Sequence, residues 1–270
     1  MTAFDEATAV TALGGGAYTA VSDPDWEAPN GPNGGYLAAI VLRAMAADLG
    51  DASRPARSIT LHYLRPPRAG EVRIDVVVER SGRRLSNLTA RVAQGDRLCV
   101  IATAAFAGAF GPAPAHFAAP MPAVPPARDV EPYPAHEGLP PIARRFVLRG
   151  AIGAPPFSGA DEALTGGWMS LHEPQPLDAA LLALYADGWL PAAFTALTAP
   201  AFAPTIDLTI HFRDPAAAAA VPPEEPVLGI FRSRFEADGI IEEDGELWSP
   251  DGVLLAHSRQ LALLAPLGDG

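Results

Sequence analysis

The most continuous apolar block in the chain runs from Tyr36 to Leu49 within "NGGYLAAIVLRAMAADLG". Its length and composition predict a helix, with Gly34 and Gly35 as the entry signal and Gly50 suited to a C-terminal cap. Two strand-like runs follow, "SITLHYLRPP" and "GEVRIDVVVERSG", the second rich in β-branched residues. "RLSNLTARVAQGDRLCVIATAAF" then reads as two strands joined by a turn at Gln94, Gly95 and Asp96. One helix followed by at least four strands accounts for the first part of the chain.

The pattern breaks over "GAFGPAPAHFAAPMPAVPPARDVEPYPAHEG", where proline and alanine dominate. It predicts an interdomain linker at 108–138, semi-rigid where prolines cluster, between a first domain at 1–107 and a second at 139–270. A long ordered surface loop is the alternative. Beyond it, "RRFVLRGAI" and "GGWMSLHEP" are strand candidates, and "LDAALLALYADGWLPAAF" predicts a helix from Leu177 to Phe194. The strands "TIDLTIHFRDP" and "PVLGIFRSRFEAD" and the hairpin "ELWSPDGVLLAHSRQLALL" complete the order. Helix, strand, strand and hairpin have now occurred twice, and "LHYLRPP" is similar to "LTIHFRDP". Two fused copies of one α+β unit explain this better than unrelated domains, each sheet burying its apolar face around its helix.

Within the second predicted helix, Asp187 shares a face with Ala183, Leu184, Leu190 and Pro191, all apolar. Asp178, nine positions earlier and about 180° around the helix, sits near the start, where a carboxylate is favourable. Asp187 has no such ordinary explanation. Thr205 opens "TIDLTIHF", and in "LLAHSRQLALL" strict alternation puts Gln260 on the face of Ala256 and Ser258, opposite Arg259. Singly, each residue has a structural account: a carboxylate accepting backbone donors, a β-favouring threonine, a surface glutamine. Together they could hold a water beside a carboxylate, the chemistry of acyl transfer to water. Spacing alone does not establish that they converge. Asp207 could share a strand face with Thr205 and serve a structural role.

Charge narrows the partners. The formal net charge is -12, lysine is absent and the arginines are scattered, which argues against nucleic acid but not against a small phosphorylated ligand. The first residues lack the pattern of a secretory signal and no run of 18 apolar residues suggests a membrane span, so a soluble, cytoplasmic protein is expected. Cys99, the single cysteine, is expected in the core. His211 and His257 belong to no HExxH pattern or compact ligand cluster, and no metal is expected. A serine-hydrolase GxSxG elbow, a P-loop and a dinucleotide fingerprint are all missing.

The ordered combination of "NGGYLAAIVLRAM", "SITLHYLRPPRAGEVRIDVVVERSGRRLSNLTARVAQGDRLCVIATAAF", "YADGWLP", "TIDLTIHF" and "GVLLAHSRQ" resembles the type II acyl-CoA thioesterases with two fused hotdog domains, over nearly the whole chain. That resemblance implies an α+β double hotdog and hydrolysis of acyl-CoA to a free acid and coenzyme A. It implies no metal or separate cofactor, coenzyme A being part of the substrate. By it, Asp187, Thr205 and Gln260 organise the hydrolytic water. Gly188 and Trp189 depart from the more polar residues of many relatives, and Trp189 could limit acyl length. Asn33, Gly34 and Gly35 could offer N–H groups to a thioester oxygen or phosphate, or simply turn the chain into its helix. Arg65 and Arg213 could meet coenzyme A phosphates or form surface salt bridges. A noncatalytic acyl-CoA binding or assembly protein is the main alternative, and a hotdog hydratase lacks an evident histidine base. Internally pseudo-dimeric chains leave room for a homo-oligomer.

Overall fold

The computed structural model describes residues 1–111, 117–134 and 138–266. Its helices include the short α1 (Ala3–Ala7), the long α2 (Gly34–Leu49) and α3 (Ala179–Tyr185). The predicted first helix is present and begins two residues early. Asn33 is its boundary, its side-chain oxygen accepting the Tyr36 N–H at 2.9 Å, and Gly50 closes it in the left-handed region at φ 63°. Gly34 and Gly35 therefore lie inside the helix. At Gly35 the reason is proximity, since a Cβ there would stand 2.5 Å from the Ala183 carbonyl oxygen of α3.

The second helix differs more from its prediction. Instead of running from Leu177 to Phe194, α3 ends at Tyr185, and a separate four-residue helix forms at Ala193–Ala196. Pro191 can donate no N–H and disfavours helical backbone at Leu190, so the periodic apolar run cannot continue as one helix. Asp178 caps the start, accepting the Leu181 N–H at 2.8 Å. Asp187 lies in the turn after the last helical residue, its N–H reaching the Leu184 carbonyl at 3.3 Å. At Gly188 a Cβ would come within 2.8 Å of the Phe146 ring and 3.0 Å of the Leu184 carbonyl oxygen, so a larger residue there would have to displace the ring.

The two helices pack antiparallel. The start of α2 meets the end of α3 at Gly35 and Ala183, while Arg43, later in α2, lies 3.8 Å from Asp178 at the start of α3. Around them runs one sheet whose strands are neighbours in the order Thr11–Gly14, Ala17–Ser22, Gly70–Ser81, Leu85–Gln94, Arg97–Ala107, Ala56–Tyr63, Thr205–Phe212, Leu254–Leu263, Ile240–Trp248, Val227–Ser233, Ala163–Leu171 and Phe146–Gly153. The order is symmetric about its middle. In each half two strands of this sheet precede the helix and take the outer places, the strand after the helix lies at the centre, and the remaining strands fill the space between. At the centre Ala56–Tyr63 pairs with Thr205–Phe212, Thr60 opposite Thr209, with their hydroxyl oxygens 3.0 Å apart. Each unit thus supplies the other with a partner for the edge that it would otherwise expose. Inward residues of both halves, among them Ile59, Leu61, Leu208 and Ile210, form one core with α2 and α3. This is the α+β double hotdog that the resemblance implies.

In the segment between the halves, Met121, Val124, Ala127 and Val130 pack on Trp168, Leu228 and Trp248, and the Trp168 indole donates to the Pro125 carbonyl at 2.8 Å. Cys99 is buried.

Candidate active site

Where α2 begins and α3 ends, opposite backbone needs meet. The first N–H groups of a helix have no partner within it and carry partial positive charge. Asp187 answers them: its Oδ2 accepts the Gly35 N–H at 3.0 Å and the Asn33 side-chain N–H at 2.8 Å. The same Asn33 nitrogen donates to the Asp187 backbone carbonyl at 2.8 Å. Because the Asn33 oxygen is committed to Tyr36, its nitrogen must face the acid. Tyr63 donates its hydroxyl to the Gly34 carbonyl at 2.8 Å, and burial holds that phenol well above its usual range.

Burial dominates the acid's electrostatics. It pushes the Asp187 carboxyl up from 3.8 to about 6, against the hydrogen bonds from Gly35, Gly34 and Asn33, which lower it. The group is thus poised to exchange a proton near neutral pH.

Thr205 and Gln260 reach the same place from the central strands. Gln260 is buried on the inward face with Ala256, Ser258 and Ala262, as alternation predicts. For Thr205, alternation from the inward Leu208 and Ile210 points outward, yet a bulge at Ile206 reverses it. Thr205 pairs with the inward Ala262, whereas Asp207 pairs with Leu261, beside the outward Arg259. Asp207 and Thr205 consequently occupy opposite faces, contrary to the expectation of a shared one. The Thr205 hydroxyl and the Gln260 side-chain oxygen are 2.9 Å apart, hydroxyl donating.

A pocket of about 310 Å³, its open mouth included, is lined by Asp187, Thr205 and Gln260 together with Trp189, Pro191 and Ile241. It also contains a residue absent from the sequence-based candidates. Glu243 is buried, lies directly opposite Gln260 in register, and accepts its side-chain N–H at 2.8 Å. Its second oxygen accepts the Ala192 N–H at 2.5 Å. Burial pushes Glu243 up to about 7, with Asp187 and Glu242 adding to the rise. The signal is available in "IIEEDGELW", where a period of two puts Glu243 on the face of Ile241 and Leu247.

The other candidates are placed as follows. The Trp189 indole donates to the Thr165 hydroxyl at 2.9 Å, and its ring stacks on Phe231 with centroids 6.4 Å apart. Asn33 and Gly35 surround the acid. Arg65 and Arg213 are exposed and do not line the pocket. His211 and His257 pair across the outer face, with ring centroids 5.2 Å apart. Among the described residues no group of three or more His, Cys, Asp or Glu side chains is arranged to hold a metal ion. Nor is any helix among them long and apolar enough to cross a membrane.

Comparison with known proteins agrees with this architecture. Residues 22–107 match the acyl-CoA thioesterase N-terminal domain family, and residues 118–264 match the acyl-CoA thioesterase C-terminal domain family. A conserved hotdog-fold protein of unknown function from Alicyclobacillus acidocaldarius is 30% identical, over 99% of this chain and 100% of that one, with a TM-score of 0.89. A Thermobifida fusca protein assigned as a thioesterase II is 26% identical over 98% of both chains, with a TM-score of 0.85. An acyl-CoA thioesterase II from Mycobacterium marinum, 18% identical over 100% of this chain and 99% of that one, shares the fold with a TM-score of 0.76. No curated protein matches the chain. With both halves matched in order and the double hotdog in place, the chain belongs to the hotdog-fold acyl-CoA thioesterase family, in its type II form with fused N- and C-terminal hotdog domains.

Proposed function

We propose that the protein hydrolyses an acyl-CoA thioester to a free carboxylic acid and coenzyme A, with water handled by Asp187, Thr205 and Gln260. The observation that carries this reading is the convergence of these side chains, from three separate segments, on one pocket beside a carboxyl raised to about 6. Water oxygen adds to the thioester carbonyl carbon while Asp187 takes a water proton. Collapse of the tetrahedral intermediate breaks the carbon–sulfur bond, and coenzyme A leaves as the thiolate. Thr205, donating to Gln260, keeps its oxygen lone pairs for the water. The Gln260 nitrogen has a second hydrogen besides the one given to Glu243, and that donor can meet the water or the developing oxyanion.

In this reading Asn33 and Gly35 hold the acid in place, and the apolar wall of Trp189 and Ile241 receives the acyl group. Arg65 and Arg213 are assigned to the coenzyme A end, nearer solvent. The test is thiol release from a panel of short, medium, long, branched and aromatic acyl-CoAs, by wild type and by Asp187→Asn. Turnover by wild type and its loss in the variant is the expected result. Saturable acyl-CoA binding without thiol release would instead identify a noncatalytic binding protein.

A further inference from the structure

Resting on this hydrolytic reading, we propose that Glu243 is a positioning residue for the reaction: by accepting the Gln260 side-chain N–H, it fixes which end of that amide faces Thr205. The two ends of a glutamine amide have nearly the same shape, so only their partners decide between them. Glu243 accepts at both oxygens, one N–H from Ala192 and one from Gln260, and once ionised, above about 7, it can only accept, which obliges Gln260 to present nitrogen to Glu243 and oxygen to Thr205. The Thr205 hydroxyl must then donate to Gln260, as observed, and it turns its lone pairs to the pocket. Reversing the amide would reverse that hydroxyl and withdraw the Gln260 hydrogen from the pocket.

Glu243 is itself held on both sides. Strand register puts it directly across from Gln260, and the Ala192 N–H fixes its other oxygen. A purely structural task, accepting the Ala192 N–H, needs only one carbonyl oxygen, which a glutamine would also provide. The placement of a buried carboxylate here is explained by the second donor, which needs a second acceptor. The row Ala192, Glu243, Gln260, Thr205 is thus a chain of hydrogen bonds whose direction is set at its buried end.

The two roles separate in Glu243→Gln. Its carbonyl keeps the Ala192 N–H, and its new amino group faces Gln260 and turns that amide around. We expect kcat to fall roughly 10²-fold, the scale of a misplaced reacting group, with KM changed less than about twofold and an unfolding midpoint no lower than that of wild type. A double-mutant cycle with Gln260→Ala separates this role from a general effect at the site. With the amide gone, adding Glu243→Gln to Gln260→Ala should change kcat less than about twofold, because Glu243 acts through that amide alone. Glu243→Gln turning over within about twofold of wild type overturns the assignment, as does a further loss of about tenfold or more in the Gln260→Ala background. Should Glu243→Gln fail to fold, Glu243→Asp keeps two acceptor oxygens and should turn over faster than Gln260→Ala, and turnover no faster than Gln260→Ala overturns the assignment. Wild-type protein that releases no thiol would sink the hydrolytic reading and this assignment together. Active wild type, an inactive Asp187→Asn and a neutral Glu243→Gln would sink the assignment alone.

Discussion

Asp187→Asn should stabilise the protein at alkaline pH while abolishing turnover, and the size of the effect follows from the site. A carboxyl raised from 3.8 to about 6 is favoured in its neutral form by the fold. The native state therefore binds the proton more readily than the unfolded state, so the group's favourable contribution is complete below about 3.8 and is lost as pH rises through about 6. At about 1.4 kcal/mol per unit, the ionised acid costs at most about 3 kcal/mol above that window. Asp187 is only partly buried, and solvent screening reduces this to about 1–3 kcal/mol. Asparagine removes the charge and can still accept from Gly35 and Asn33 through its single oxygen. Glu243, raised partly by Asp187, gains in the same direction. Denaturant unfolding of both proteins at pH 4 and pH 8, with thiol release measured in parallel, checks this. The variant should be about 1–3 kcal/mol more stable at pH 8, with the gap falling below about 1 kcal/mol at pH 4. A variant less stable by the same amount at both pH values would refute the reasoning, because the carboxylate's hydrogen bonds would then outweigh its desolvation.

Three further outcomes follow from the same geometry. kcat/KM should rise with pH through an apparent pKa near 6 as Asp187 loses its proton, and a flat profile between pH 5 and 8, the range about that pKa, would exclude it as the base. Gly35→Ala should lose stability even though alanine is favoured over glycine by about 1 kcal/mol in a helix, since its Cβ would stand 2.5 Å from the Ala183 oxygen; overpacking of about 1–3 kcal/mol decides the sign, and thermal unfolding reads it. Trp189→Leu should move the acyl-CoA preference towards longer or bulkier chains, seen as a changed ratio of kcat/KM values across the panel, at a stability cost below the roughly 3–5 kcal/mol of a full Trp→Ala truncation.

Much of the fold is legible in local pattern. From Tyr36 to Met45 every residue but Arg43 is apolar and buried because this part of the helix is enclosed by sheet and by α3, and the turn at Gly95 and Asp96 joins strands ending at Gln94 and starting at Arg97. Gln260 obeys the period of two, and Glu243 is equally readable by that rule. The helix from Leu177 to Phe194 is not, because apolar periodicity continues across a break that Pro191 enforces.

Local propensity and period therefore suffice for the α+β repeat, the strands that follow each long helix and the anomaly of an acid among apolar neighbours, but not for the strands Thr11–Gly14 and Ala17–Ser22 before the first helix. Family resemblance adds the roles. How the acid is held is a matter of tertiary packing, because the Gly35 and Asn33 donors lie more than 150 residues away and meet it through the antiparallel helices. The inward turn of Thr205 is likewise invisible along the chain, because a bulge at Ile206 overrides the alternation that would have pointed it to the opposite face. Strand register alone sets Glu243 against Gln260, a pairing that no spacing within either strand specifies.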